Sequence, residues 1–526
     1  MNQHADSARA GKLIYIVVFL CGAILMALEI LGSRILAPSF GNSIFVWGSL
    51  ISIVLAALSV GYWIGGKAAD RWPTEAMLAM FIALPGINIA LMPLYYRGLN
   101  EWIAQGAFGV RMGPLVSCAI LFLVPSAFLG VVSPYAVRLH ARAVASVGKT
   151  AGALYAVSTM GSIAGTLATS FWLIAVFEVS LIVHALGVLL LIIAATMLLA
   201  ERHLGRAAVT LACTAILTAV IVWQAQAANS RPGVLLEEDS FYNHLMVIES
   251  ATQRALFGDN TRQSVISLAD PWKLESRYTQ AMAVALALRP DPSMAPRRVL
   301  NIGVGGGVFA KRLYLDYPNV IIDAVDIDPK VLAVARKYFY APQDNRFRLH
   351  AVDGRRFLQE SRDLYDVIIL DAYQSDTVPF HLTTREFYRE VATRLAPGGV
   401  VASNIIAAVE GNGRAYFGAT HKTLRSVFPF VYTFPVIISS TESLADRHNV
   451  ILVAAREGLS PNAAPVSRAD VIERVRRLNG KLEPFEQLAG YASAMLEVPP
   501  DVTGAPLLTD NYAPVDALLA EALDRQ

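Results

Sequence analysis

Charge is scarce in this sequence: Asp, Glu, Lys and Arg supply 16% of it, against 55% hydrophobic residues. The shortage is concentrated before about residue 228, and beyond that point the chain reads as an ordinary globular α/β sequence. A mean hydropathy of +0.46 is too apolar for a soluble protein. With a net charge of only +2, no basic excess marks a nucleic-acid partner. Cysteine is also rare: Cys21, Cys118 and Cys213 each fall in an apolar run, so neither a disulfide framework nor a metal cluster is expected. At 526 residues the chain calls for more than one domain.

What it has instead is long apolar sequence. Runs long enough to cross a bilayer lie at roughly 13–36, 44–64, 76–95, 113–134, 151–177, 179–200 and 207–226. The first is too long for a cleaved signal, and others follow it directly. Gly161 and Gly165 form a small-residue pair that lets helices approach closely. Glu29 stands inside the first run, where a carboxylate marks a structural pair, with Arg34 or another buried partner, or a pathway. The stretch Gly65-Gly66-Lys67-Ala68-Ala69-Asp70-Arg71 is similar to the short loop of major-facilitator transporters, although seven spans lack a second half. Basic residues cluster at the N-terminus and in alternate loops (Arg9, Lys12, Lys67, Arg71, Arg138, Arg142, Lys149, Arg202, Arg206), which puts the N-terminus in the cytoplasm. Seven crossings then place the C-terminal half outside, whereas a cytoplasmic nucleoside requires an even number, as with one re-entrant segment.

The later half is organised around residues 298–328, RVLNIGVGGGVFAKRLYLDYPNVIIDAVDID. An apolar run meets Gly303, Gly305, Gly306 and Gly307, a helical pattern follows, and a second apolar run ends at Asp326. This is the order of a nucleotide-binding βαβ unit, in which glycines let the backbone approach the ligand and the acid accepts ribose hydroxyl protons. Residues 234–268 alternate like short strands, and a helix is expected from about Ser276 to Leu288. From Arg298 strands are expected near 298–303, 320–325, 346–350, 366–370, 399–404 and 449–455, with helices between them. The expectation is a Rossmann-like, methyltransferase-type domain with a mainly parallel, doubly wound sheet, preceded by a small β-subdomain. The division is 1–228 (transmembrane), 229–295 (β-subdomain and connecting helix) and 296–526 (Rossmann-like).

Further acids stand at strand ends. Asp353, before Gly354, can accept the adenine amino proton, cap the helix that follows, or do both. Asp371 ends the fourth strand, which lies beside the first in the common strand order, so it should face the glycine turn and can take an amine's proton. Asp376 and His381 follow in the same loop, a lone His being more often structural.

These pieces together (SFYNHLMV, NIGVGGG, VDIDPKVLAVARKYF, VDGRRFL, YDVIILDAY and TTREFYREVATRLAPGGVVASN) resemble the spermidine synthases, the polyamine aminopropyltransferases. LEILGSRILAPSFG, GYWIGGKAADR and LTDNYAPVDAL are similar, more narrowly, to bacterial membrane proteins described as fused MFS/spermidine synthase. The resemblance implies aminopropyl transfer from decarboxylated S-adenosylmethionine, as co-substrate and with no tightly bound cofactor, to putrescine or another amine. It also implies a multi-pass inner-membrane location and, as often in the family, a homo-oligomer. By position, Gly303, Gly305 and Asp326 would hold the ribose side, Asp353 and Gly354 the adenine, Asn243 would replace a nucleoside-contacting Gln, and Pro379 would line the thioadenosine. Asp371 would be the proton acceptor, and Tyr278, Gln280, Tyr373 and Asp376 would meet the amine.

The chain departs from the family at the acceptor end. Gly306 stands where the glycine run carries an Asp, Val304 replaces a Gly, and a Tyr-His-Glu appears as Tyr278-Thr279-Gln280. Each lost charge contact would cost a cationic amine about 1.5–3 kcal/mol. Two other readings fit the same residues: a methyltransferase using intact S-adenosylmethionine, and a membrane transporter or sensor whose later half binds a nucleoside or polyamine without turnover.

Overall fold

A computed structural model describes residues 2–106, 108–141, 147–228, 232–259, 261–372, 378–411, 413–437, 442–457, 466–478, 482–498 and 500–523. The chain divides into two compact units, Met1–Pro232 with Glu238–Phe241, and Gly233–Glu237 with Tyr242–Gln526.

The first unit is helical. Among the described residues seven helices are long and apolar enough to cross a membrane: Lys12–Phe40, Ile44–Arg71, Glu75–Leu94, Arg111–His140, Val147–Val176, Val179–Ala200 and Leu204–Ile221. The Gly161 and Gly165 pair lies where the fifth of these meets the first. A Cβ at Gly161 would stand 2.0 Å from the Phe19 carbonyl oxygen, and one at Gly165 would stand 2.1 Å from that of Ala23. Only glycine allows backbones this close, and in an apolar solvent such contact is what holds helices together. The Gly65–Arg71 stretch, expected as a loop, is instead the end of the second helix, Ile44–Arg71. Its Asp70 accepts a hydrogen bond from Arg138 Nε at 3.0 Å, and a Cβ on Gly65 would meet the Val131 carbonyl at 2.8 Å. The helix continues because Ala68, Ala69 and Lys67 favour it, and Thr74, three residues past its end, caps the next one.

The second unit holds two sheets. Strands β1 (Val234–Asp239), β2 (His244–Glu249), β3 (Gln253–Gly258) and β4 (Thr261–Ser267) form a four-stranded sheet in that order. The helix expected over 276–288 is present in two pieces, an α-helix Arg277–Met282 and a tighter 3-10 stretch Ala283–Leu288.

Seven strands make the large sheet: β5 (Arg298–Ile302), β6 (Ile321–Asp326), β7 (Phe347–Ala351), β8 (Tyr365–Leu370), β9 (Leu395–Ala407), β10 (Phe430–Pro435) and β11 (His448–Ala455), in the order β10-β11-β9-β8-β5-β6-β7. β5 pairs in parallel with both β6 and β8, β6 with β7, and β8 with β9, while β11 is antiparallel to β9 and to β10. Both faces are covered: Val299, Ile322, Val367 and Val400 enter one core, Leu300, Val325, Ile368 and Val401 the other. Strands buried on two sides read as continuous apolar runs, which is why their pattern is legible. β10 was not expected. It ends on Pro435 and follows Pro429, and proline is tolerated there because β10 lies at the sheet edge.

The chain lays out β5, β6 and β7 toward one edge and then returns to place β8 on the far side of β5. That reversal leaves a crevice at the carboxyl ends of β5 and β8, where ligands bind in such sheets.

Changing Gly161 and Gly165 together to Leu should push the first and fifth long helices apart. The expected outcome is a lower melting temperature in detergent, and an unchanged melting curve would mean the two helices do not pack through these glycines.

Candidate active site

The crevice is a cavity of about 560 Å³, lined by the ends of β5, β6, β8 and β9, by β4, and by the start of the helix Arg277–Met282. Gly303 sets its floor. Its φ is +85°, open to glycine at little cost, and a Cβ there would stand 2.2 Å from the Asp371 carbonyl oxygen. The Asp371 amide donates to Ile302 O at 2.9 Å, and Asn301 Nδ2 donates to Gly303 O at 2.5 Å, so the turn and the end of β8 are locked edge to edge.

Asp326 ends β6. Its Oδ2 accepts from the Val304 amide at 2.9 Å and its Oδ1 from the Asp328 amide at 3.0 Å. Burial pushes its pKa up to about 6, against the pull of those amides. Asp353 does cap the helix Gly354–Glu360: Oδ1 accepts from the amides of Arg355 and Arg356, each at 3.0 Å. Its Oδ2 faces His381 Nε2 at 2.8 Å, and this contact holds the Asp353 pKa below the usual carboxylate range. His381 therefore belongs to the cavity wall. Gly354 is required by packing, since a Cβ would lie 2.3 Å from Ile302 Cγ2.

Asp371 is the centre of a hydrogen-bonded chain. Asn404 Nδ2 donates to its Oδ1 at 2.8 Å, and Asn449 Nδ2 donates to Asn404 Oδ1 at 3.0 Å. The Tyr278 hydroxyl, which donates to Gln263 O at 3.5 Å, stands near enough to the same carboxyl to lower its pKa. Burial raises the Asp371 pKa to about 6, with Asn404 and Tyr278 restraining the rise. A carboxylate so placed is mostly ionised near neutrality, yet a stronger base than an ordinary aspartate.

Of the other residues singled out from sequence, Asn243, Gly305, Tyr278 and Pro379 also line the cavity. Gln280 does not. Its Nε2 donates to Leu274 O at 2.6 Å, and its Oε1 accepts from Gln487 Nε2 at 2.6 Å and the Tyr491 hydroxyl at 2.8 Å, so it ties the helix Arg277–Met282 to the helix Phe485–Ser493 and cannot meet an amine. Tyr373 and Asp376 lie outside the described residues. Gly306 has no room for an acid: a Cβ would stand 2.7 Å from Phe339 Cδ1 and 2.9 Å from Ser264 Cβ. Its amide donates instead to Ser264 Oγ at 2.8 Å, which docks the small sheet on the glycine turn.

Sequence reasoning passed over Asn404, Asn449, Asn301, Ser264 and the bases Arg262 and Arg277. Asn404 follows Ser403, the β9 partner of Leu370, so it neighbours Asp371 through a register that only the structure shows. For β4 and β11 no signal existed, because the contact is made only in three dimensions.

A doubly wound sheet with a glycine turn at its switch point and acids at the ends of β6, β7 and β8 is a Rossmann-like α/β unit with its ligand crevice at that point. Comparison with known proteins narrows this. Residues 275–443 match the spermine/spermidine synthase domain. The chain is 30% identical over 322 residues to a probable polyamine aminopropyl transferase of Bifidobacterium longum, covering 60% of this chain and 68% of that one. It is 29% identical over 295 residues to a polyamine aminopropyltransferase of Vibrio vulnificus, 54% and 91% of the two chains. A solved probable spermidine synthase of Corynebacterium glutamicum aligns with 52% of this chain and 96% of its own at 19% identity, with a TM-score of 0.40. The chain belongs to the spermine/spermidine synthase family.

Replacing Asn404 by Leu removes the amide that stabilises ionised Asp371 while keeping its bulk. A hydrogen bond to a charged group is worth about 1.5–3 kcal/mol, or roughly one to two pH units. The Asp371 titration, followed by carbon-detected NMR, should move upward from about 6 by that amount, and an unmoved titration would show that Asn404 does not bear on it.

Proposed function

We propose that the chain is a membrane-anchored aminopropyltransferase that moves the aminopropyl group of decarboxylated S-adenosylmethionine onto an amine. The observation that carries this is that Asp326, Asp353 and Asp371 open onto one cavity, with the glycine turn between the first and the last. In this reading Asp326 holds the ribose hydroxyls, and Asp353, steadied by His381, accepts the adenine amino proton. Pro379 and Leu382 cover the thioadenosine. The seven apolar helices anchor the unit in a lipid bilayer.

The sulfonium carbon then points toward Asp371. The lone pair of a neutral amine nitrogen attacks the methylene carbon next to sulfur, and a C–N bond forms. The C–S bond breaks, its electron pair stays on sulfur, and neutral methylthioadenosine leaves. The proton shed by nitrogen passes to the Asp371 carboxylate. Asn404 holds that carboxyl in place, so alignment and proton removal are supplied together. The base must be ionised to act. Since its pKa stands near 6 rather than at 3.8, activity should rise with pH through about 6 as the base ionises, and the rise above that point follows loss of the proton an amine carries in water.

The test uses the purified full chain with decarboxylated S-adenosylmethionine and a panel of amines, products being read by mass spectrometry. Methylthioadenosine should be released together with the aminopropylated amine. Asp371→Asn should lower kcat by about a hundredfold or more while the affinity for methylthioadenosine measured by calorimetry is retained. Release of S-adenosylhomocysteine from intact S-adenosylmethionine would overturn the proposal in favour of methyl transfer, and turnover that survives Asp371→Asn would remove its proton acceptor.

A further inference from the structure

The stretch LTDNYAPVDAL, residues 508–518, has no part in the site described so far. Its Asp510 does not line the cavity, yet it is joined to two residues that flank the cavity wall. Arg355 Nη1 and Nη2 donate to Asp510 Oδ1 and Oδ2, each at 2.8 Å, which is a planar, two-pronged pairing. The Thr384 hydroxyl donates to Asp510 Oδ1 at 2.6 Å. The backbone adds to the grip: the Arg385 amide donates to Leu508 O at 2.9 Å, and the Asp510 amide donates to Glu386 Oε2 at 3.0 Å.

Arg355 and Thr384 bracket the place where Asp353 meets His381. Arg355 stands in the first turn of the helix Gly354–Glu360, and its Nη1 also donates to His381 O at 3.3 Å. Thr384 lies two residues past the 3-10 turn Phe380–Leu382, which carries His381, and caps the helix Arg385–Thr393. Asp510 therefore ties the helix that Asp353 caps to the turn that holds His381. Charge balance alone does not call for it, because Glu390 already pairs with Arg355 through Nε at 3.1 Å and Nη2 at 2.8 Å. Glu390 takes one edge of the guanidinium; Asp510 takes the other edge, with the same Nη1 that reaches His381 O.

The position of His381 matters because Asp353 has little acceptor capacity left. An ionised carboxylate offers about four acceptor directions. The amides of Arg355 and Arg356 both donate to Oδ1, and His381 Nε2 takes a direction on Oδ2 at 2.8 Å. About one direction, on Oδ2, remains for a ligand, and the imidazole beside it sets where that direction points. An amino group can donate along it, whereas an oxo group there would meet a carboxylate oxygen with no proton between them.

We propose that Asp510 is a positioning residue for recognition of the base: through Arg355 and Thr384 it holds His381 against Asp353, so that Asp353 keeps one acceptor direction aimed at the 6-amino group of adenine. The inference rests on the reading above in which Asp353 meets the adenine.

Methylthioadenosine and methylthioinosine carry an amino and an oxo group, respectively, at that position of the base. Dissociation constants for both are measured by calorimetry on the full chain in detergent. The wild type should prefer methylthioadenosine by about tenfold or more, as one hydrogen bond to a charged group allows. Asp510→Asn should bring that preference close to unity by weakening methylthioadenosine alone; a merely structural role would weaken both nucleosides alike. Arg355→Lys keeps a charge for Glu390 but loses the fork, so it should have the same effect and tests the point even if Asp510→Asn does not fold. The double variant should discriminate no worse than either single one, as residues that act through one another do. Carbon-detected NMR adds a readout that needs no nucleoside. The His381 contact holds the Asp353 pKa down, so the Asp353 titration should move upward in Asp510→Asn. A wild-type preference that survives both substitutions, or an Asp353 titration that stays where it was, would overturn the inference and leave the adenine reading standing. Equal binding of the two nucleosides by the wild type would remove the adenine reading and the inference built on it.

Discussion

The close approach of the Gly303 turn to the end of β8 is the contact on which the rest of the second unit depends. Two parallel strands can stand side by side and both end in a usable crevice only if the chain leaving the first bends sharply away from the second. Gly303 does so at a φ of +85°, and any side chain on it would collide with the backbone of Asp371. The acid at the end of β8 is thereby brought to the mouth of the glycine turn. Asp326 grips the other side of that turn through the Val304 amide, and the position of all three groups is set by backbone contacts rather than by flexible side chains.

The electrostatics follow from where these contacts put the carboxyls. Asp326 and Asp371 are drawn out of water and their pKa values rise toward 6, while Asp353, bonded to His381 and to two helix amides, moves the other way. One cavity thus holds acids of unequal strength, as a site needs when one group must bind and another must take a proton. The arrangement works against the fold. For the two raised groups the folded state holds protons that the unfolded chain has released, so stability declines as pH climbs from about 3.8 through 6. The Asn449–Asn404 chain offsets part of that loss by bonding the ionised form.

The small sheet gives the site its character. The large sheet by itself offers a ligand crevice common to many chemistries. β4 adds Ser264, which docks on the glycine turn, and Arg262 also lines the cavity.

Much of the fold was legible in the residues alone. Strands covered on both faces are unbroken apolar runs, apolar helices of membrane length are continuous, and a turn that demands positive φ is marked by glycine. The acids stood out because each closes such a run. These signals are local, carried by residues a few positions apart, so the sequence by itself determined the succession of helices and strands and which polar residues end them. The tertiary structure alone decided which side chains meet: that Gln280 is consumed by Gln487 and Tyr491, that Asn404 and Asn449 reach Asp371, and that Arg262 arrives from β4. Each of those contacts joins segments tens to hundreds of residues apart. Their geometry comes from strand order and from the docking of one sheet on another, and no short-range pattern records either.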